Sequence, residues 1–136
     1  MAEITCEMYV YVGFYGLFDP RELLRLLSPQ GAICETRRVG EALWYVPKMA
    51  QFDVLEVKTA KRRTYELEKL LDELRGTSST WAEAGAWAKS RNLNVFLRVV
   101  AEFGETTPAL VMRPNHLMWL LSLEATVDMD LYNFNS

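Results

Sequence analysis

Apolar and polar positions along this chain switch between a strand rhythm and a helix rhythm, and each switch marks the border of an element. Met8, Val10, Val12 and Phe14 alternate with Tyr9, Tyr11, Gly13 and Tyr15. The pattern predicts a strand over residues 7–15 with one aliphatic face and one face of phenols. Asp19 then fits an N-cap, Pro20 the first helical position, and Glu22 the acidic place three residues past the cap. The helix that follows carries Leu23, Leu24 and Leu27 as its apolar stripe and ends at Ser28, Pro29 and Gly31. Short strands are expected at Ile33 to Arg37, Leu43 to Val46 ahead of Pro47, and Val54 to Val57, with Gly40 and Glu41 in a turn.

Helical spacing returns with Leu67, Leu70, Leu71 and Leu74, stopped by Gly76. Thr77 to Ser79 form a linker, and Thr80 with Glu83 reads as a capping box for a second helix with Trp81, Ala84 and Ala88 on its stripe. Strand alternation resumes over 95–103, where Val95, Leu97, Val99, Ala101 and Phe103 oppose Phe96, Arg98, Val100 and Glu102. Gly104 to Pro108 make a turn, and Ala109 to Met112 are expected to return as a short strand. A helix starts at Arg113 and Pro114 with Leu117, Leu120, Leu121 and Leu123 as apolar positions. The last strand runs from Ala125 to Tyr132, with Val127, Met129 and Leu131 on one face and Thr126, Asp128, Asp130 and Tyr132 on the other. The tail from Asn133 to Ser136 is expected to fray.

The order of elements predicts one α+β domain over residues 1–136: a mainly antiparallel sheet with helices packed on one face. Its core is expected from Val10, Val12, Phe14, Leu97, Val99, Val127, Met129 and Leu131 beneath the leucine stripes. Strand-helix-strand halves at the two ends, with Asp19-Pro20 and Arg113-Pro114 in comparable places, hint at internal pseudo-duplication. Gly13 and Gly16 read as places where the strand bends or turns toward the helix.

Composition narrows the function classes. The chain has 136 residues, 50% hydrophobic and 24% charged, with a net charge of −3. A pI of about 5.2 disfavours general binding to nucleic acid or an anionic membrane. Arg37-Arg38 and Lys61-Arg62-Arg63 are short basic runs that read as solvated loops or helix ends. No stretch approaches the roughly eighteen apolar residues of a spanning helix. No signal-peptide pattern precedes Cys6, so a cytoplasmic protein with two reduced, mostly buried thiols, Cys6 and Cys34, is expected. No cofactor is expected: there is no phosphate-binding glycine motif and no paired cysteine spacing for a metal.

Three blocks of residues resemble the bacterial family known as domain of unknown function 4279. Tyr11, Gly16, Asp19, Pro20, Leu23, Leu24 and Leu27 fit a Y…G-x-x-D-P…L block. Arg38, Gly40 and Trp44 fit an R-x-G…W block, and Leu117, Leu120, Leu121, Ala125, Asp128, Asp130 and Tyr132 fit the L-x-x-L…A-x-x-D-x-D-x-Y ending. The blocks keep their order over nearly the whole chain. The loop between Gly40 and Trp44 is shorter than the pattern, and Arg113 stands where a small hydroxyl residue is usual. The resemblance implies a small α+β domain and no defined activity.

Candidate chemistry is sparse. Asp128 and Asp130 share a strand face with Tyr132, and they are expected to pair with Arg98 or Arg38 rather than to hold a metal. His116 stands without a triad partner at any suggestive spacing and is expected on a solvent-facing side of its helix. If the strands over 7–15, 95–103 and 125–132 share a sheet, Tyr9, Tyr11, Tyr15, Phe96, Arg98, Asp128, Asp130 and Tyr132 line one face, a composition typical of protein interfaces. The expectation is a small non-catalytic protein-binding domain, monomeric or homodimeric. Its concrete form is a bacterial immunity protein that neutralises a toxin. The rival expectation is an enzyme or ligand-binding domain working through Asp128, Asp130 and Arg98.

Overall fold

Two long alternating strands build the centre of the molecule. The computed structural model describes residues 4–41 and 51–134. Strand β1 (Glu7–Gly16) pairs antiparallel with β5 (Asn94–Phe103) over nine positions, from Glu7 opposite Glu102 to Tyr15 opposite Asn94. On the other side of β1 lie β3 (Asp53–Lys58) and the two-residue β4 (Arg62–Arg63), both antiparallel to it. Between those two, the Thr59 hydroxyl accepts the Val10 N–H at 3.2 Å, so the ladder is bridged where it breaks. Strand β2 (Ile33–Arg37) pairs antiparallel with β3, and β6 (Thr126–Asn133) lies parallel to β5. The six-stranded sheet therefore runs β2-β3-β1-β5-β6 with β4 beside β1, an α+β arrangement that is mainly antiparallel, as expected.

Helices α1 (Pro20–Leu27), α2 (Leu67–Arg75), α3 (Trp81–Ser90) and α4 (Pro114–Ser122) complete the described elements. Their leucines form the roof of the core. Leu23, Leu27, Leu67, Leu70, Leu71, Leu74, Trp81, Ala84 and Leu120 are buried with Met8, Val10, Val12, Phe14, Leu55, Val57, Leu97, Val99 and Ala101. Both terminal units join parallel strands through a helix, but β3 is inserted between β1 and β2 whereas β5 and β6 are direct neighbours.

Asp19 caps α1 as expected, accepting the Arg21 N–H at 3.0 Å. The Thr80 capping box does not form: its hydroxyl donates instead to the Leu26 carbonyl at 2.7 Å and ties α3 to α1. Ala109 to Met112 are not a strand. One parallel bridge from Glu66 to Ala109 is the extent of their pairing, because four residues between a turn and a helix start meet no free ladder. Cys34 is exposed rather than buried, since it lies on the edge strand β2, whereas Cys6 is buried. The basic run at Arg62-Arg63 is a strand, not a loop or helix end. The expected strand from Leu43 to Val46, with Trp44, lies outside the described residues.

The most consequential correction concerns β6. Val127, Met129 and Leu131 stand opposite Leu97, Val99 and Ala101, on the helix side as expected, yet they are 39, 38 and 42% exposed. The helix layer stops short of this strand. Leu117 and Leu121 of α4 are exposed too, while Leu120 and Leu123 face inward.

Asp53 locks the corner where three connections meet. Its carboxylate, at the start of β3, accepts the Phe18 N–H at 2.9 Å, the Val39 N–H at 2.9 Å and Arg38 Nε at 3.1 Å. Arg38 also reaches Asp19 at 3.1 Å, linking this corner to the α1 cap. Burial pushes the Asp53 carboxyl up, but the Val39 and Phe18 amides and the Arg38 guanidinium more than offset it, leaving it below the usual carboxylate range. A depressed folded value means that its stabilisation is complete above the ordinary aspartate pKa of about 4 and is lost as pH falls through the lower folded value. Asp53→Asn should flatten this acid limb in urea unfolding, and Asp53→Ala should cost about 2–4 kcal/mol at neutral pH. An unchanged acid limb would refute the assignment.

Gly85 sets the approach of α3 to α4. A Cβ there would strike the Ser122 carbonyl oxygen and come within 3.1 Å of Leu123 Cα. Gly85→Ala is therefore expected to lower stability by about 1–2 kcal/mol through overpacking, although the exchange favours a free helix by about 1 kcal/mol. Urea denaturation reads the sign directly.

Candidate functional site

Strand parity brings all eight predicted site residues to one face. Tyr11 lies opposite Arg98, and Gly13 opposite Phe96. Arg98 in turn lies opposite Asp128, Val100 opposite Asp130, and Glu102 opposite Tyr132. Tyr9 and Tyr15 follow on the same side of β1 by alternation. The face is open in the sense that all four helices pack on the other side.

The centre of this face is a connected set of rings and charges. Arg98 donates from Nη1 to the Tyr11 hydroxyl at 2.8 Å and from Nε to Asp128 Oδ2 at 3.0 Å. The pairing of Asp128 with Arg98 matches expectation, whereas Arg38 is committed to Asp19 and Asp53 at the far corner. Tyr9 stacks on Tyr11 at 6.2 Å, and Tyr15 meets Phe96 edge-on at 5.8 Å. Lys58 lies 5.2 Å from the Tyr11 ring centre, and Arg98 lies 5.6 Å from it, both cations over the ring. Tyr11 is left only 7% exposed. Toward the edge the surface opens: the Asp128 side chain is 50% exposed and Tyr132 is 51% exposed. The Tyr132 hydroxyl donates to Asp130 at 2.9 Å, and no cation among the described residues pairs with Asp130.

Gly13 has a more specific task than a bend. An added Cβ would fall 2.5 Å from the Tyr15 hydroxyl, so the Tyr15 side chain lies across the space that Gly13 leaves empty. From there its hydroxyl donates to Glu56 Oε2 at 2.8 Å. This is the aromatic cover of a strand glycine, which restores packing that the glycine forfeits. Glu56, Lys58 and Glu35 extend the face across β3 and β2, with Lys58 bridging both acids at 3.3 and 3.2 Å. Glu56 and Lys58 are additions to the predicted face, although the alternation of β3 separates them from the buried Leu55 and Val57.

Burial and then Glu56 push the Tyr15 phenol well above its ordinary range. Burial and Glu56 raise Tyr11 as well, against the pull of Arg98 and Lys58. Burial lowers Arg98, but its bonds to Tyr11 and Asp128 and the nearby Tyr15 outweigh that and raise it overall. Asp130 raises Tyr132 through their hydrogen bond. All four shifts move away from neutrality. A hollow of about 260 Å³ on this face is lined by Tyr15, Phe52, Asn94, Phe96 and Arg98.

His116 is not solvent-facing. It is 1% exposed. Its Nδ1 accepts the Arg113 N–H at 3.0 Å, which assigns the proton to Nε2 for donation to Asp72 Oδ1 at 2.7 Å. Both nitrogens are thereby occupied, Nδ1 in closing the N-terminus of α4 and Nε2 in joining α4 to α2. No local spacing announces this pair, because its members are 44 residues apart. Among the described residues no three His, Cys, Asp or Glu side chains gather where a metal could be held. No helix among them is long and apolar enough to cross a membrane.

A raised phenol keeps its proton after the unfolded chain has lost it, so stability falls as pH rises above about 10. Tyr15→Phe should cost about 1 kcal/mol at neutral pH by deleting the bond to Glu56 and should soften the alkaline decline seen in urea unfolding. A decline of undiminished slope would assign it elsewhere. Comparison with family models, with curated proteins and with solved structures finds no match for this chain.

Proposed function

We propose that this chain is a non-catalytic protein-binding domain that grips its partner with the open face of β1, β5 and β6. The observation that carries this reading is the held geometry of that face. Tyr15, Tyr11, Arg98, Asp128 and Tyr132 are each already fixed by a hydrogen bond. Side chains ordered before contact add area without further loss of rotamer freedom on binding, which is how aromatic and arginine anchors become strong ones. The gradient from the buried Tyr11 to the exposed Tyr132 and Asp128 places the accessible part beside the β6 edge.

In its concrete form the reading is a bacterial immunity protein, acting in the cytoplasm by direct capture of a toxin. Small size and acidity support it: the chain carries a net charge of −3, and the exposed Asp128 with the half-buried Asp130 would steer it toward a basic surface. The enzyme alternative draws support from the hollow at Tyr15, Phe96 and Arg98. Against it, that hollow falls below the usual ligand-pocket range of about 300–1,000 Å³, and the site's shifted groups lie away from the neutral range that general acid–base work requires.

The test is calorimetric titration with the product of the adjacent gene. Tyr9→Ala and Tyr132→Ala should each weaken binding by about tenfold or more with unchanged thermal unfolding. Absence of binding by the unaltered chain, or unaltered affinity in both variants, would reject the reading.

A further inference from the structure

We propose that the β6 edge accepts an extended segment of the partner as a seventh strand, and that this segment alternates basic and apolar residues. The inference rests on the reading of the sheet as a protein-binding surface and names the chemistry of what it binds.

Among the described residues β6 is bonded on one side only, to β5. Its register with β5 is continuous from Thr126 to Asn133, without a bulge, and it contains neither proline nor lysine. Its devices against pairing with other chains are limited to the charges of Asp128 and Asp130. The opposite edge differs: β2 is five residues long, and its Glu35 is already engaged by Lys58.

The two faces of β6 then specify the occupant. On the helix side Val127, Met129 and Leu131 form an exposed apolar row that none of the described helices covers. In the helix layer, α4 turns His116, Trp119 and Ser122 toward α2 and α3. Its Leu117 and Leu121 fall on the flank turned away from those helices, and both are exposed. An added strand that sets apolar residues beside Val127, Met129 and Leu131 would extend the core face outward. On the open face Asp128 and Asp130 would stand opposite its intervening residues. Asp128 has Arg98 on the β5 side, but the β5 neighbour of Asp130 is the uncharged Val100. A basic residue in the added strand would supply the missing charge.

The same charges argue against a second copy of this chain as occupant. Antiparallel pairing of two β6 strands about their middle sets Asp128 against Asp130 of the copy, or an aspartate against its own counterpart. Like charges directly opposite destabilise a strand pair.

The test uses a heptapeptide alternating lysine and valine, titrated into the isotopically labelled full chain and followed by NMR shifts and amide exchange. The expected result is saturable binding with new exchange protection confined to β6 amides, weakened about tenfold in Asp130→Asn. A strand pairs through one edge, so N-methylation of alternate peptide residues should abolish binding in one frame and spare it in the other. A block peptide of the same composition should not protect β6. If both N-methylated frames bind equally, the acids merely attract cations and the strand-addition inference falls, while the open-face reading survives. Complete absence of binding also overturns the inference, and the open-face reading is then judged by the adjacent-gene titration alone. Concentration-dependent mass that grows in Asp130→Asn, with the like-charge repulsion removed, would overturn it in favour of a self-paired edge.

Discussion

The molecule is governed by a shortage of roof. The four described helices, eight to ten residues long, span about 12–15 Å each, and all of them pack on one side of the described six-stranded sheet. They bury the aliphatic side of β1, β3 and β5 completely and run out before β6. Two unroofed surfaces follow from that one constraint: the entire opposite face, and the apolar side of the last strand. The first is finished by rings and ion pairs packed on one another. The second is left with three aliphatic side chains in partial contact with water.

What finishes the open face also stiffens it. Tyr15 fills the gap over Gly13 and hangs on Glu56. Arg98 ties β1 to β6 by holding Tyr11 and Asp128 at once. A face without helices would otherwise depend on long, mobile side chains, whose ordering costs entropy at every encounter. Here the ordering is part of folding. The price is that the central tyrosine serves the fold first, and only its neighbours toward β6 remain available to a partner.

Much of this was legible in the sequence where a signal is local. Alternation in residues 7–15 and 95–103 separates the two faces of β1 and β5, the Asp19-Pro20 pair starts α1, and the leucine spacing from Leu67 marks the α2 stripe. Parity also placed the eight site residues on one face before their strands were known to adjoin. Properties that depend on a distant neighbour were not legible. Whether Val127, Met129 and Leu131 are covered depends on where α4 stops across the sheet, which no periodicity records. His116 looked solvent-facing because its partner Asp72 sits in another helix, and Thr80 looked like a cap because its alternative acceptor, the Leu26 carbonyl, belongs to α1.

The central pairing of β1 with β5 has a consequence in time as well as space. The bond between Arg98 and Tyr11 joins residues 87 positions apart, so β1 emerges long before its main partner, β5, during synthesis. In that interval α1, β3, α2 and α3 are already made, but the β5 side of β1 stays open, and contacts of such long range form slowly. A nascent chain with an open strand edge is prone to association with its neighbours. Nine of the ten β1 residues lie in this late ladder, so the segment that organises the finished protein is also the one that most needs shielding while the protein is being made.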